Sequence, residues 1–276
     1  MKRISWPLGL SAGLLYLFLY APIFVVILYS FNVGRHGIAW QGFTLDWYRA
    51  IFENQQALAA LKNTLLLAVS STALAAVIGT ALAFGLVRAG SWGRKIVDTI
   101  LYLPVFVPDI VMAVALLLFF ALLRQWLGLF QLGLTTMIVA HITFQIPFVA
   151  IVVRARLAGL DPALEEAARD LGASPVQTFF HVTLPLITPG ILAGSMLAFT
   201  LSLDDFVVSF FTSGPGSTTL PILIYSSVKR GLTPEINALS TLIVLVSIAT
   251  TISMALLRRG EVGPRDSVPT KEIDFR

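Results

Sequence analysis

The chain has 276 residues, of which 57% are hydrophobic and only 12% are charged, and its net charge is +4. A soluble domain carries about 25% charged residues, so this composition excludes a soluble fold and predicts an integral membrane protein surrounded by lipid. The chain has no cysteine and only three scattered histidines, which excludes disulfides, a cysteine nucleophile and a metal site with recognisable ligand spacing.

Six apolar segments are long enough to cross a bilayer as helices, each of which needs about 20 mostly apolar residues. They predict an all-α polytopic membrane protein with a single domain over residues 1–260 and a flexible cytoplasmic tail over 261–276. The first segment follows Lys2 and Arg3 as in a signal peptide, but it is too long and lacks a small-residue cleavage motif, so we expect a retained helix. The predicted spans are about 8–31, 64–87, 98–123, 133–153, 187–211 and 236–257.

The basic residues indicate the orientation of these spans, because cytoplasmic connections carry an excess of Lys and Arg. With the N-terminus inside, thirteen Lys and Arg residues fall on the inner side and six on the outer side. This count predicts that both termini and the loop 154–186 are cytoplasmic. Since topology accounts for the positive charge, we do not interpret it as a nucleic-acid-binding surface.

The third predicted span contains a carboxylate, Asp109, and such a group costs about 2.5–3.5 kcal/mol at mid-bilayer on insertion scales. Tyr102 and Phe106 fall on roughly the same side of this helix. A carboxylate beside aromatic faces suits an organic cation, through charge pairing and cation–π attraction. The alternative is a packing cluster in which Asp109 caps a helix broken by Pro104 and Pro108, and the sequence leaves both interpretations open.

Two polar residues, His141 and Gln145, are four residues apart in the fourth predicted span. We expect them to make hydrogen bonds to a neighbouring helix, which is how polar side chains are commonly satisfied in membranes. The alternative is that they line a pathway through the bundle.

The loop 154–186 contains the signals of two short helices. Asp161-Pro162 predicts an N-cap and a first helical residue, Gly172 predicts the end of that helix, and Ser174 with Gln177 has the spacing of a capping box. Leu184-Pro185 is predicted to end the second helix. The first helix presents small residues and carboxylates that suit docking onto a basic partner groove, with a solvated interfacial helix as the alternative; these residues are Ala163, Glu165, Glu166, Ala167, Ala168 and Asp170.

The fifth predicted span contains a pair of carboxylates, Asp204 and Asp205. Asp205 falls on a polar face that repeats every three or four residues, whereas Asp204 lies about 100° away around the helix. A wet cavity and a helix packing seam both explain this face. Its members are Ser195, Ala198, Ser202, Asp205, Ser209 and Thr212. Residues 212–235 are too apolar for a free loop and too interrupted for a span, which predicts a partly re-entrant, gate-like segment.

The loop also carries a longer pattern: Glu166-Ala167-Ala168, three residues, Gly172, nine residues, Val182, one residue, and Leu184-Pro185. This pattern resembles the cytoplasmic loop of permease subunits in binding-protein-dependent ABC importers, with Val182 where that family more often has Ile. The resemblance implies a type I permease whose coupling helix docks onto an ATPase subunit. The chain contains no G-x-x-x-x-G-K-[ST] phosphate loop, so we expect ATP and Mg to be bound by that partner and the chain itself to be neither an enzyme nor a cofactor carrier.

Further segments resemble PotC-type permeases of bacterial spermidine/putrescine importers. They are GIAWQGFT at 37–44, PDIVM at 108–112, SLDD at 202–205 and PEINAL at 234–239. The resemblance implies a bacterial inner-membrane location, a heterodimer with a PotB-like permease, two ATPase copies and an extracytoplasmic polyamine-binding protein. Polyamines are chains of ammonium groups, which suits spaced carboxylates at Asp109, Asp204 and Asp205.

Two other functions fit parts of the sequence. The same kind of permease could carry another amine, an amino-acid derivative or a metal complex. An autonomous ion-driven carrier or an intramembrane aspartyl enzyme agrees less well, because no inverted repeat is visible and Asp204 and Asp205 are adjacent residues that diverge on one helix.

Overall fold

The computed structural model describes residues 6–34, 39–88, 90–231 and 234–259. The described chain is built from helices joined by short connections, with one isolated antiparallel bridge between Asn32 and Phe43. The predicted tail 261–276 lies outside the described residues. In chain order the helices are α1 (Trp6–Tyr29), α2 (Asp46–Glu53), α3 (Gln55–Arg88), α4 (Ser91–Phe106), α5 (Asp109–Leu127), α6 (Leu134–Ala158), α7 (Ala163–Asp170), α8 (Pro175–Thr178), a π-helical turn (Phe179–Thr183), α9 (Leu184–Leu203), α10 (Val207–Thr212), α11 (Leu220–Arg230) and α12 (Pro234–Arg259).

Five helical segments in the described part of the chain are long and apolar enough to cross a membrane. They are α1, α3, α5, α6 and the continuous segment Pro175–Leu203, which joins α8, the π-helical turn and α9. An all-helical polytopic membrane protein is therefore confirmed. The sixth predicted span, 236–257, lies within α12 (Pro234–Arg259), where the structure describes an apolar helix over Pro234–Ala249.

The centre of the bundle is the contact of α3, α6 and α9, where small residues let the helix backbones approach closely. Val149 of α6 lies between two glycines. A Cβ built on Gly79 would lie 2.8 Å from Val149 Cβ, and one built on Gly194 would lie 3.2 Å from Val149 Cα. Several completely or almost completely buried residues pack around this contact: Ala75, Ala83, Ala150, Val153, Ile187 and Ala198.

Replacing Gly79 with alanine should therefore destabilise the bundle, although alanine favours a helix by about 1 kcal/mol over glycine elsewhere. We expect a net loss of about 1–3 kcal/mol from overpacking against Val149. Gly85 on the same helix is the matched control, because a Cβ there meets nothing within 4 Å. Thermal unfolding of the detergent-solubilised protein measures both. Equal melting temperatures for Gly79→Ala and Gly85→Ala would contradict this close approach.

The third predicted span, 98–123, is wrong as a single helix. The chain breaks between α4 and α5, where Val107 is extended with φ −72° and ψ 130°. Pro108 follows, and a proline disfavours helical backbone at the residue before it and offers no N–H to continue the ladder. Asp109 is consequently the first residue of α5 rather than a residue near the middle of a helix.

The predicted fifth span, 187–211, is also wrong at both ends. The helix runs through Leu184-Pro185 because the π-helical turn precedes it: Leu184 N–H donates to Phe179 O, five residues back. This wider turn accommodates a proline ring that would otherwise clash with the carbonyl four residues earlier. At its other end α9 stops at Leu203, and Asp204, Asp205 and Phe206 separate it from α10.

Within the predicted gate-like region 212–235, residues Leu220–Arg230 form the helix α11, which contacts α3 and α12. The segment before it is tied to α3. Asn63 Nδ2 donates to Gly216 O and Thr218 O at 2.9 and 3.0 Å, and Thr64 Oγ1 accepts from Leu220 N at 2.8 Å. These bonds satisfy backbone groups that the sequence predicted would lie at membrane depth.

Candidate functional site: an acidic cleft and a helical loop

A cleft of about 400 Å³ lies where the break between α4 and α5 meets the break between α9 and α10, and three carboxylates line it. Asp109 enters it from the start of α5, and Asp204 and Asp205 enter it from the break after α9. The remaining lining is largely apolar and comes from α4, α5, α6, α9 and α10: Pro104, Val105, Met112, Phe144, Phe148, Leu201, Phe206, Val207 and Val208.

The helix breaks explain why these carboxylates face the cleft. Asp109 and Asp204 are both exposed, and each lies at a helix end rather than on a helix face. Asp109 also lies in the first turn of α5, where a negative charge is favoured by the helix dipole. The cleft therefore offers two accessible carboxylates among apolar and aromatic side chains.

Asp205 is placed differently from its neighbour, because its carboxylate caps the next helix. Oδ2 accepts from Ser209 N at 2.7 Å and Oδ1 accepts from Val208 N at 3.3 Å, at the start of α10. Oδ2 also lies 3.4 Å from His141 Nε2. The predicted polar face of one continuous helix is thus divided between α9 and α10, with Asp205 at the junction.

The predicted hydrogen bonding of His141 and Gln145 to another helix is confirmed. His141 Nδ1 lies 2.7 Å from Ser202 Oγ, and Gln145 Nε2 donates to Ala198 O at 3.0 Å. Both side chains are completely buried. The contact of His141 with Asp205 was not predicted, because it joins residues that are more than sixty positions apart in the sequence.

The aromatic lining differs from the prediction. Tyr102 and Phe106 lie on α4 with exposed fractions of 40% and 80%, and the rings that line the cleft are instead Phe144, Phe148 and Phe206. Phe144 and Phe148 are four residues apart on α6. That spacing on the helix that carries His141 is the signal that would have identified them.

The loop between α6 and α9 has the predicted caps, but the predicted end of its second helix at Leu184-Pro185 is wrong, because that helix continues through the π-helical turn into α9. Asp161 Oδ1 accepts from Ala163 N at 3.0 Å, at the start of α7. Gly172 has φ +86°, and the helix closes with the bond from Ala173 N to Ala168 O at 3.1 Å. The predicted capping box is present, with Gln177 N donating to Ser174 Oγ at 3.3 Å and Ser174 N donating to Gln177 Oε1 at 2.8 Å.

The carboxylates of α7 divide into an inward and an outward group. Glu165 faces the bundle, where it accepts from Arg88 Nη2 of α3 at 3.0 Å and from Thr183 Oγ1 of the π-helical turn at 2.7 Å. Arg169 Nη2 adds a third contact at 3.4 Å. Glu166 and Asp170 are exposed, as is Ala167, whereas Ala168 is half-buried. Leu184 is half-buried and Pro185 is exposed at the start of α9.

This division predicts different effects for two adjacent substitutions. In the isolated protein, Glu165→Gln should increase amide hydrogen exchange across residues 163–183, because α7 loses its charged contact with Arg88. The expected change is a factor of about five, since partly exposed pairs contribute about 1 kcal/mol or less. Glu166→Gln is the control and should leave this exchange unchanged. Equal exchange in the two variants would contradict the structural role of Glu165.

Solved structures share this arrangement of helices. A bacterial ABC transporter that imports the acidic polysaccharide alginate aligns with a TM-score of 0.75 and 23% identity, over 94% of this chain and 96% of that one. The fold therefore defines a helical membrane subunit with the architecture of an ABC importer permease.

The chain belongs to the family of binding-protein-dependent transport system inner membrane components, whose sequence profile matches residues 75–260. It is 43% identical to the spermidine/putrescine transport system permease protein PotC of Escherichia coli (strain K12), over 89% of this chain and 91% of that protein. It is 42% identical to the putrescine transport system permease protein PotI of the same strain, over 88% of each.

Family membership defines the role of the chain in the transporter. It is a multi-pass permease component of a bacterial ABC importer, a type of subunit that has no ATPase activity of its own. Binding-protein-dependent ABC import requires a separate ATPase and a solute-binding protein, so this chain works with partners of both kinds.

Proposed function

We propose that the chain is a permease subunit of an ATP-driven importer of polyamines such as spermidine and putrescine. The observation that carries this proposal is the convergence of Asp109, Asp204 and Asp205 on one cleft lined by aromatic rings. It agrees with the solutes named for PotC and PotI, the relatives that are 43% and 42% identical.

The chemistry of the cleft favours a flexible organic cation. Ammonium groups at intervals along a polyamine can pair with Asp109 and Asp204, which reach the cleft from different helices. The methylene chain between them can lie against Phe144, Phe148 and the other apolar side chains, and the rings attract cations at their faces. An acidic polysaccharide would be repelled by the same carboxylates, although the alginate importer shares the fold.

The rest of the transporter follows the pattern of the family. In this proposal residues 1–260 form one type I permease domain with six spans, both termini and the tail 261–276 lie in the cytoplasm, and a PotB-like permease completes the pathway. Two ATPase copies bind ATP and Mg, and an extracytoplasmic protein delivers the polyamine. The lower number of basic residues on the outer side supports this orientation.

The loop and the cleft are physically continuous, which supports a coupling role for α7. From Pro175 onward the chain is helical to Leu203, so a displacement of the loop is carried along this continuous helical segment to Asp204. We propose that α7 is the coupling helix and that Glu166, Ala167, Asp170 and Gly172 face the ATPase. Glu165 attaches this surface to α3 and to the π-helical turn, Ala168 is half-buried, and Leu184 and Pro185 begin α9.

The decisive experiment is uptake of labelled spermidine by proteoliposomes that contain the complete complex, its binding protein and internal ATP. We expect ATP-dependent accumulation that an excess of unlabelled putrescine competes away. Accumulation of another solute, with no uptake of either polyamine, would retain the permease class and overturn the polyamine assignment.

A further inference from the structure

His141 is a buried polar side chain that bridges the two sides of the helix break at the cleft. Its Nδ1 lies 2.7 Å from Ser202 Oγ, at the end of α9, and its Nε2 lies 3.0 Å from Ser209 Oγ, within α10. The same Nε2 lies 3.4 Å from Asp205 Oδ2 in the break itself. One side chain of α6 therefore contacts all three parts of the interrupted segment.

The hydrogen-bonding roles in this cluster are constrained. A carboxylate only accepts, so the nitrogen facing Asp205 donates its N–H, and in a neutral imidazole the other nitrogen then accepts from the Ser202 hydroxyl. Ser202 Oγ also lies 3.4 Å from Ser71 Oγ, which extends the contacts to α3. The end of α9 is thus attached to both helices that surround it in the core.

His141 acts through other residues rather than on the solute. Its side chain is completely buried, so a solute in the cleft cannot touch it. Its ring instead packs against the cleft residue Phe144, with ring centroids 5.1 Å apart. The groups that it fixes are Asp205 and, through the shape of the break, the exposed Asp204.

We propose that His141 is a positioning residue of the translocation pathway. Its contacts with Ser202 and Ser209 hold α9 and α10 together across the break, and we call these contacts the His141 clasp. The clasp keeps Asp205 bonded to the amide groups of α10 and leaves Asp204 directed into the cleft. This inference rests on the proposed function for the identity of the solute, but the clasp itself is a property of the chain and can be tested without any solute.

The transport test compares His141→Leu with Gln145→Leu in the complete complex. Gln145 is the matched control because it lies one turn away on α6, is equally buried, and bonds α9 at Ala198 rather than at the break. We expect His141→Leu to lower the number of spermidine molecules transported per ATP hydrolysed about tenfold, the size expected for losing one hydrogen bond to a charged group. Gln145→Leu should retain the wild-type ratio.

A rescue variant separates positioning from packing. His141→Gln can still donate toward Ser209 and Asp205, so it should recover a large part of the ratio that His141→Leu loses. Equal losses in the His141→Leu and Gln145→Leu variants would reduce His141 to an ordinary helix contact and overturn the proposal. Failure of the glutamine variant to rescue transport would overturn it as well.

A labelling experiment tests, without any solute, whether His141 holds α9 and α10 together. The chain has no cysteine, so Val208→Cys places a single thiol at a position of α10 that is 3% exposed. With His141→Leu in addition, the thiol should react severalfold faster with a cationic thiosulfonate reagent, because α10 separates from α6. With Gln145→Leu the rate should not change. An unchanged rate in the His141→Leu background overturns the clasp, whereas absence of spermidine uptake by the wild-type complex overturns only the polyamine assignment.

Discussion

Replacing Asp109 and Asp204 together with asparagine should reduce spermidine uptake roughly hundredfold or more while the complex still assembles. Each carboxylate is exposed in the cleft and available to an ammonium group, and a hydrogen bond to a charged group contributes about 1.5–3 kcal/mol. Losing two such contacts lowers the rate by the product of their separate effects, provided that the sites act independently. The measurement is the initial rate of uptake at saturating loaded binding protein, normalised to assembled complex.

Asp46→Asn is the matched control for this loss of charge. Asp46 begins α2, where its Oδ2 accepts from Thr44 Oγ1 at 2.8 Å, and it is not among the residues that line the cleft. We expect near wild-type uptake from this variant. Wild-type uptake from the Asp109→Asn and Asp204→Asn double variant, in a complex assembled to the normal level, would remove the cleft carboxylates from the transport pathway.

Asp205→Asn should behave differently from Asp204→Asn. Asp205 already bonds two amide groups of α10 and faces His141, so its substitution weakens the folded break as well as the charge of the cleft. We expect less assembled complex from Asp205→Asn and a normal amount from Asp204→Asn. Quantifying the purified complex measures this contrast, and equal yields would contradict the capping role of Asp205.

The spans could be predicted from sequence because the apolar composition of a helix is a local property, but the helix breaks could not. Prolines lie inside helices at Pro104, Pro147 and Pro189, whereas Pro108 follows a complete break. The local rule for proline is the same at all four positions. Whether a helix continues through a proline depends on contacts from neighbouring helices that satisfy the freed backbone groups. These contacts cannot be deduced from the sequence pattern.

The same distinction explains the loop and the cleft. The caps at Asp161, Ser174 and Gly172 were predicted because their partners lie within five residues along the chain. Glu165 was predicted to face an ATPase, and its inward contact with Arg88 spans 77 residues of sequence. Long-range pairs of this kind are set by tertiary packing, which also brought Asp109 and Asp204 to one cleft.

Substitution of Gly172 in the loop should reduce uptake by a comparable factor. This residue has φ +86°, a left-handed conformation, and a Cβ added there would meet nothing within 4 Å. A substitution therefore acts through backbone strain rather than through a clash, at a cost of roughly 1–2 kcal/mol for an ordinary side chain and more for a β-branched one. Asparagine tolerates this conformation best, so uptake should fall in the order Asn, Ala, Val, with Gly172→Val close to background.

The loss at Gly172 should appear as failed coupling rather than failed folding of the bundle. The strain moves the end of α7 relative to Pro175, where the continuous helical segment to Leu203 and the cleft begins, so closure of the ATPase pair no longer displaces the break at Asp204. ATP hydrolysis stimulated by the loaded binding protein should fall together with uptake, while the melting temperature of the isolated permease changes little. Gly159→Ala is the control within the same loop, because Gly159 ends α6 with φ −92°, which alanine adopts freely. Equal transport by Gly172→Val and Gly159→Ala would show that the left-handed turn at Gly172 does not position α7 on its ATPase.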